Sequence, residues 1–146
     1  LSETLLFIAA RADHVARLIE PALGRGEWVV SDRFSDSTYV YQGVARGLGV
    51  EKVRRLHEAA LGTFAPDLTI ILDLDPVEGL KRAGGRAQGN ENRFERFDAD
   101  FHQKLRAAFH DIARAEPKRC VVIDGGRAPE MVAANVWRAV QERLKP

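Results

Sequence analysis

The hydrophobic positions of the chain follow two patterns, one typical of helices and one typical of buried strands. Apolar side chains recur at helical spacing over residues 2–23, 51–62, 77–82, 93–115 and 129–144. Short, nearly continuous apolar runs occupy residues 28–32, 68–74 and 120–123. Such runs are typical of strands in a parallel sheet that is covered on both faces. Residues 37–43 are predicted to be helical as well, so strands and helices alternate, and the pattern predicts an α/β protein.

The composition is that of an ordinary globular domain, and it narrows the range of partners. At 146 residues the chain corresponds to one domain or most of one. Its 22 basic and 21 acidic residues nearly cancel, so no strong net charge attracts nucleic acid or a membrane surface. A single cysteine, Cys120, excludes an internal disulfide. We therefore expect a cytoplasmic protein without nucleic-acid or membrane partners.

Two opposite charges stand where the first predicted strand ends. The apolar residues 28–30 lead through Ser31 to Asp32, the last residue of the predicted strand, and Arg33 follows it. In open α/β sheets, ligands bind outside the carboxyl ends of the strands. An arginine there can bind a phosphate with two parallel hydrogen bonds, and a carboxylate can hold a metal ion. Hydroxyls and an amide follow within ten positions, and they could hold a sugar and a base: Ser37, Thr38, Tyr41 and Gln42. The residue types therefore indicate a site for a small molecule that carries phosphate.

Four motifs, in order, resemble those of the thymidylate kinase family. They are L-F-I-A-A-R at 6–11, S-D-R-F-x-x-S-T with Y-Q-G and R-G at 31–47, P-D-L-T through L-D with G-L-K-R at 66–82, and R-F-E at 93–95. Each motif alone is weak or moderate, but together they cover essentially the whole chain. The resemblance implies a homodimeric enzyme that transfers the γ-phosphoryl group of ATP to dTMP, giving dTDP and ADP, with Mg²⁺ as cofactor.

The glycine-rich phosphate loop of that family, G-x-x-x-x-G-K-[ST], does not occur in the sequence. We therefore interpret residues 1–146 as a single partial nucleotide kinase domain, the C-terminal two-thirds of the family's fold. The expected architecture is a parallel sheet like that of P-loop nucleoside-monophosphate kinases, with helices on both faces, lacking the first strand and the phosphate loop. Because nothing in this chain can hold the β- and γ-phosphates, we expect it to be inactive by itself.

The resemblance assigns the acceptor nucleotide to the N-terminal part of the chain. Arg33 corresponds to an arginine that holds the acceptor phosphate, and we class it as catalytic. Phe7 and Arg11 lie four positions apart on one helix face, and the resemblance implies that the ring stacks on thymine while the guanidinium binds the base. On residue type alone, Arg33 could instead form a surface salt bridge with Asp32 or Asp36, and Phe7 could belong to the core.

Further residues are assigned to the acceptor site together with Phe7, Arg11 and Arg33. The resemblance places Ser37 or Thr38 near the base and Tyr41 against the deoxyribose, where a ring disfavours a 2′-hydroxyl, and Gln42 completes the substrate-binding set. Asp32 is assigned to substrate and to Mg²⁺, which often meets protein carboxylates through water. The alternatives are helix capping for Ser37 and Thr38, packing for Tyr41 and an ion pair or helix cap for Asp32.

The donor nucleotide is assigned to the C-terminal part. Arg82, Arg86 and Arg93 flank a glycine-rich segment that resembles the family's lid, at residues 83–95. Arg86 and Arg93 are the predicted catalytic arginines, since a mobile arginine stabilises the charge of a transferring phosphoryl group. Arg82 is predicted to lie against adenine, and the loop with Gly126 and Arg127 is predicted to contact adenine through its backbone. The alternatives are a solvated basic loop and an ordinary turn.

Two other functions remain compatible with these residues. Other deoxynucleotide and deoxynucleoside kinases also carry an acidic residue and an arginine after a strand, although the Y-Q-G and R-G context favours thymidylate kinase. A non-catalytic nucleotide-binding fragment is the second alternative, and the missing phosphate loop favours it.

Overall fold

The computed structural model describes residues 1–84 and 99–145. The chain divides into two compact units, Leu1–Ala65 and Pro66–Pro146. The described residues of the first unit are helical or irregular, whereas the second unit contains a parallel sheet. The combination of parallel strands and helices confirms the predicted α/β class.

The first unit is built from helices that include two π-helical segments. Helix α1, Ser2–His14, continues through a π-helical segment, Val15–Ile19, into α2, Glu20–Gly24. Helix α3, Ser35–Thr38, continues into the second π-helical segment, Tyr39–Ala45, and helix α4 is Val50–Leu61. The predicted helices over residues 2–23, 37–43 and 51–62 are therefore confirmed, apart from the wider turns. Such turns occur frequently at functional sites, and the second one carries Tyr41 and Gln42.

The core of the first unit forms where these helices meet. Val40 and Val53 are completely buried, and Ile8 is 4% exposed. Gly43 lets the second π-helical segment approach the start of α4 closely. A Cβ atom at this glycine would lie 3.2 Å from the Cα atom of Val50. The segment that carries the polar motif is therefore fixed against a well-packed helix.

The predicted strand at residues 28–32 is wrong for this structure, in which these residues adopt an irregular conformation. A strand forms only when its backbone pairs with a neighbour, and among the described residues these positions belong to no sheet. Val30 is 95% exposed and Trp28 is 59% exposed. The apolar run therefore leads to Asp32 and Arg33 without being buried.

In its described residues, the second unit contains the sheet and three helices. Strand β1, Thr69–Asp73, pairs in parallel with β2, Cys120–Asp124, so that Asp73 lies opposite Asp124. Helices α5, α6 and α7 are Pro76–Gly84, Ala99–Ala115 and Pro129–Leu144. These elements confirm the pattern-based assignments for the described residues. Because the strands are parallel and in register, both carboxyl ends lie at one edge of the sheet.

The two strands are covered less completely than their apolar sequences predict. Cys120 and Ile123 are buried, and helices α6 and α7 pack against β2. Leu72 and Val122, in contrast, are 56% and 38% exposed. A sheet of two strands buries only the side chains that its flanking helices reach, so the expected cover on both faces is incomplete in the described part of the chain.

Candidate functional site: the Arg11 cluster and the strand-end loop

Arg11 connects α1 to the segment that follows residues 28–32. Its Nη2 atom donates hydrogen bonds to Thr38 Oγ1 at 2.8 Å and to the carbonyl oxygen of Phe34 at 3.3 Å. The guanidinium carbon lies 5.3 Å from the centroid of the Phe34 ring, within the range of a cation–π interaction. The structure therefore brings Arg11 and Thr38, both predicted site residues, into direct contact; we call Arg11, Phe34 and Thr38 the Arg11 cluster.

The Arg11 guanidinium retains one unused donor. Its Nη1 atom is buried and has no hydrogen-bond partner among residues 1–84 and 99–145. Burial lowers the pKa of Arg11, although Tyr39 and Asp36 act in the opposite direction. A buried polar group without a partner costs about 1–3 kcal/mol. An acceptor atom of a ligand that reached Nη1 would recover part of this cost.

Phe7 lies one helical turn before Arg11 and is not a core residue. Its side chain is 46% exposed, while Thr4 and Ile8 of the same helix are 2% and 4% exposed. The alternative that Phe7 only fills the core is therefore not supported. An exposed ring beside a buried guanidinium is suited to stacking on a flat, apolar ligand surface.

Arg33 has a strained backbone and an exposed side chain. Its φ angle of 64° lies in the left-handed region, which costs about 1–3 kcal/mol for a residue other than glycine and is concentrated at functional sites. The hydroxyl of Ser31 donates a hydrogen bond to the Arg33 carbonyl oxygen at 3.0 Å. The guanidinium carbon lies 5.2 Å from the Tyr41 ring centroid. No ion pair joins Arg33 to Asp32 or Asp36 in the structure as described.

The polar residues after Arg33 have different environments. The Thr38 hydroxyl accepts from Arg11, and no side-chain cap is present at the start of α3, so the capping alternative is not observed there. Ser37 and Tyr41 are half-buried. Gln42 is 7% exposed, and its Nε2 atom lies 3.4 Å from Glu3 Oε1. The side chain of Gln42 therefore connects the second π-helical segment to the start of α1.

The buried residue His57, which the sequence did not predict as part of the site, packs against Phe34 of the Arg11 cluster. His57 is 5% exposed; its Nε2 atom lies 3.2 Å from the Phe64 carbonyl oxygen, and its ring contacts Phe34 and Tyr39 edge-on. Burial lowers the pKa of His57. The available signal was its position four residues after Val53 on the apolar face of α4.

Asp32 is exposed and offers a single carboxylate. In the described ranges, no group of three or more His, Cys, Asp or Glu residues could hold a metal ion. Mg²⁺ usually keeps several waters and is bound by one or two carboxylates together with substrate phosphates. The donor set therefore fits a water-bridged contact from Asp32 to an ion that arrives with a nucleotide.

The loop after β2 contains the described part of the predicted donor site. Arg82 donates from Nη1 to the Gly125 carbonyl oxygen at 3.1 Å and from Nη2 to the Gly126 carbonyl oxygen at 3.5 Å. Asp124 accepts from the Gly126 amide at 2.9 Å and from Arg127 Nε at 2.8 Å, and both bonds lower the pKa of its carboxyl. We call residues 124–127 the strand-end loop. Its backbone is fixed from two sides by charged side chains.

The predicted catalytic residues Arg86 and Arg93 lie outside the described residues, as does most of the predicted lid, residues 83–95. Arg82 is the described member of that arginine group. Besides its contacts to the strand-end loop, its Nε atom donates to Glu78 Oε1 at 3.1 Å.

A second cluster, which the sequence reasoning missed, lies at the end of β1. Arg106 of α6 forks onto Asp73, with distances of 2.7 Å from Nε to Oδ1 and 2.8 Å from Nη2 to Oδ2. His110 Nε2 lies 3.0 Å from Asp73 Oδ1. These contacts, led by the Arg106 hydrogen bonds, lower the pKa of Asp73 to about 2. The spacing of Arg106 and His110, four positions apart on a predicted helix, was the only available signal.

The helices of the described ranges include none that is both long and apolar enough to cross a membrane.

Comparison with known proteins shows similarity along nearly the whole chain. A family model described as thymidylate kinase matches residues 1–136. A thymidylate kinase of Rhodopseudomonas palustris is 52% identical over 98% of the chain and 63% of its own length. A thymidylate kinase of Bradyrhizobium diazoefficiens is 50% identical over 99% of the chain and 64% of its own length. The crystal structure of a thymidylate kinase from Ehrlichia chaffeensis matches with a TM-score of 0.72 and 32% identity, over 97% of this chain and 64% of that one. The chain thus spans about two-thirds of the length of these relatives.

Proposed function

The chain belongs to the thymidylate kinase family, and from this we propose that the intact protein containing it transfers the γ-phosphoryl group of ATP to dTMP, forming dTDP and ADP. The chain shares the fold of P-loop nucleoside-monophosphate kinases. The substrates remain a proposal, because the chain spans only 63% of the relative from Rhodopseudomonas palustris. The Arg11 cluster is the observation that carries this proposal.

The Arg11 cluster supports recognition of a pyrimidine base. Thr38 and the Phe34 carbonyl hold one side of the guanidinium, which leaves the buried Nη1 atom as a donor for a ligand. Thymine offers carbonyl oxygens as acceptors, and the exposed ring of Phe7 offers a surface for stacking. Since the donor is already desolvated, a hydrogen bond to it favours a ligand with an acceptor at that position over one without.

Arg33 supports binding of the acceptor's phosphate. Its guanidinium is exposed, lies on the Tyr41 ring and has no carboxylate partner in the described structure. A guanidinium can bind a phosphate through two parallel hydrogen bonds, which the point charge of a lysine cannot reproduce. The left-handed backbone at this position supports a role for the residue beyond structure. In this proposal Tyr41 faces the deoxyribose, Ser37 lies near the base, and Gln42 supports the site through Glu3.

The strand-end loop supports binding of the donor's adenine. Arg82 spans two successive carbonyl groups of this loop, and Gly126 leaves its backbone accessible. Arg127 is held by Asp124, so in this proposal its backbone, rather than its side chain, faces the nucleotide. Mg²⁺ bound to ATP would neutralise phosphate charge, and Asp32 would accept a hydrogen bond from one of its waters. Arg86 and Arg93 keep the catalytic role that the sequence predicts.

The homodimer and the cytoplasmic location are also part of the proposal. Leu5, Leu6 and Leu18 of the first helical segment are 45%, 71% and 56% exposed, which supports association through this segment. Sedimentation analysis of the intact protein should show a dimer at micromolar concentration, and a monomer there would contradict this part.

A panel of phosphate acceptors tests the proposed reaction. The intact protein is incubated with ATP, Mg²⁺ and, in turn, dTMP, dUMP, dCMP, dGMP and thymidine, and the nucleotide products are separated. We expect dTDP from dTMP as the main product. A preference for thymidine would identify a deoxynucleoside kinase instead, and nucleotide binding without product would favour a non-catalytic protein.

The isolated 146-residue chain provides a second test. Its sequence contains no G-x-x-x-x-G-K-[ST] segment, and in related enzymes the backbone of this loop holds the phosphates of ATP. We therefore propose that the isolated chain forms no dTDP above a mock preparation. Formation of dTDP by the purified chain would contradict this expectation while leaving the proposed reaction intact.

A further inference from the structure

We infer that Arg106 is a positioning residue for the donor nucleotide, because its clamp on Asp73 holds the strand-end loop and the start of α5 in the arrangement that presents Arg82. The inference rests on the proposed function, in which this loop binds adenine. Arg106 itself lies on α6, and within residues 1–84 and 99–145 its guanidinium bonds to Asp73 and Asp75, neither of which is assigned to a nucleotide.

The clamp of Arg106 on Asp73 is an ion pair with two hydrogen bonds, and both side chains are only partly exposed. Arg106 Nε lies 2.7 Å from Asp73 Oδ1, and Arg106 Nη2 lies 2.8 Å from Asp73 Oδ2. The Asp73 side chain is 19% exposed and that of Arg106 is 32% exposed. Charge-assisted, bidentate pairs of this kind are stronger and more directional than neutral hydrogen bonds. Arg106 therefore fixes the position of the Asp73 carboxylate.

Asp73 in turn touches the strand-end loop through its backbone. The Gly125 amide donates to the Asp73 carbonyl oxygen at 2.7 Å. A Cβ atom at Gly125 would lie only 3.1 Å from that oxygen, so the loop and the strand end are in direct contact. A shift of Asp73 is therefore transmitted to the loop.

Arg106 also reaches the residue that starts α5. Its Nη1 atom lies 3.5 Å from Asp75 Oδ2, and Asp75 Oδ1 accepts a hydrogen bond from the Val77 amide at 3.0 Å, in the first turn of α5. Helix α5 carries Arg82, which binds the carbonyl groups of Gly125 and Gly126. The Arg106 guanidinium thus contacts the carboxylates on both sides of the turn that leads into this helix.

Two carboxylates, Asp73 and Asp124, lie opposite each other at this edge of the sheet, so a cation beside Asp73 reduces the repulsion between them. Asp73 lies opposite Asp124 in the strand register, and the negative charge of Asp73 acts to raise the pKa of Asp124. Arg106 neutralises Asp73 directly. Without it, His110 would be the remaining described partner of the Asp73 side chain, and repulsion between the two carboxylates would act on the strand-end loop.

Steady-state kinetics of the intact protein test this inference through two Michaelis constants. In Arg106→Met, which keeps the length of the aliphatic stem, we expect the KM for ATP to rise about tenfold, since a displacement of about 1 Å in a binding group has effects of this size or larger. The KM for dTMP should change less than about twofold. Arg106→Lys keeps the charge but cannot form two parallel hydrogen bonds. Its KM for ATP should therefore lie between that of the wild type and that of Arg106→Met.

A matched control lies on the same helix. Arg114 also pairs with an aspartate of α6, Asp111, but both side chains are 70% exposed, and neither contacts the end of β1. In Arg114→Met both Michaelis constants should match those of the wild type. Equal increases in both Michaelis constants of Arg106→Met, or no change in either, would overturn the inference.

Direct binding separates this inference from the proposed reaction. If the wild-type protein forms no dTDP, the proposed function fails, but calorimetric titration of ATP still compares the wild type with Arg106→Met. Weaker ATP binding in the variant, with Arg106→Lys intermediate, supports the positioning role; unchanged ATP binding overturns it. If Arg106→Met does not fold, Arg106→Lys and Asp73→Asn are compared in the same titration, and unchanged ATP affinity in both overturns the inference.

Discussion

Arg11 and Arg106 are both arginines that join distant parts of the chain, yet their surroundings are opposite. Arg11 is held by a hydroxyl, a carbonyl oxygen and an aromatic ring, and burial lowers its pKa. Arg106 is forked onto Asp73, and this pairing raises the pKa of the guanidinium while lowering that of the carboxyl to about 2. Arg11 has neutral partners and Arg106 has a fully charged one.

In the proposed function, this difference separates Arg11, a ligand-binding residue, from Arg106, a positioning residue. A guanidinium paired with a carboxylate is already neutralised, and a ligand would have to displace a strong bond to use it. A guanidinium held by neutral groups keeps its charge and, at Nη1, a buried donor without a partner in the described structure. The partners of an arginine, more than its burial, therefore indicate which arginines a nucleotide can use.

Arg33 provides the strongest test of this distinction, because it also lacks a carboxylate partner in the described structure. In the intact protein, Arg33→Ala should lower kcat/KM for dTMP by about 10²–10³-fold, since a bidentate contact to phosphate is lost. Arg33→Lys should recover little of this loss. Arg25→Ala, which removes an exposed arginine paired with Glu27, serves as the control and should leave kcat/KM unchanged. Wild-type kinetics in Arg33→Lys would refute the argument from guanidinium geometry.

Exchanging the two compared arginines for methionine tests the distinction directly. Arg11→Met should weaken dTMP binding about 10–100-fold while changing the free energy of unfolding by less than about 1 kcal/mol, because removal of the buried, unpartnered donor offsets the loss of the hydrogen bonds to Thr38 and Phe34. Arg106→Met should lower the free energy of unfolding by about 1–3 kcal/mol, because a partly buried carboxylate loses its main partner, while dTMP affinity is unchanged. Calorimetry with dTMP and urea unfolding measure the two quantities. Equal effects of both substitutions on both quantities would abolish the distinction.

The pH dependence of stability gives the smallest expected effect. The folded-state pKa of Asp73, about 2, lies below its ordinary value of 3.8. The resulting stabilisation is therefore fully present above about pH 5 and is lost as the pH falls through 2, with a total of about 2 kcal/mol. The unfolding free energy of Asp73→Asn should fall less steeply over this window than that of the wild type. Parallel curves for the two proteins would show that Asp73 does not contribute as described.

The helices could be predicted because their signals are local, and Arg11 and Thr38 could be singled out because they belong to motifs. Helical spacing identified residues 2–23 and 129–144, and the motif resemblance identified Arg11 together with Thr38. The contact between these two side chains spans 27 positions, so spacing alone would not have found it. The sequence also indicated that Phe7 and Arg11 share a helix face, but not that the Nη1 atom of Arg11 would be buried without a partner.

The features that the sequence did not predict correctly share a physical cause: pairing between distant segments leaves no local signal in the sequence. The apolar run at residues 28–32 has the composition of a strand, but a strand also requires a neighbour, and none is present in the described structure. The ion pair of Arg106 with Asp73 spans 33 positions, and neither residue belongs to a spacing that predicts the other. Phe34, although part of a motif, and His57 were not assigned to the site, because aromatic and histidine side chains usually serve only packing.

The second π-helical segment, Tyr39–Ala45, has a consequence for how this site can change during evolution. An α-helix turns about 100° per residue, and a π-helical turn accommodates an additional residue in the same helical path. Tyr41 can thereby lie on Arg33 while its neighbour Gln42 points to Glu3. Deleting one residue here would restore an ordinary helix and rotate one of these side chains away from its partner. A change of one residue in the length of this segment would therefore alter the directions of several side chains at once, whereas a substitution would leave those directions in place.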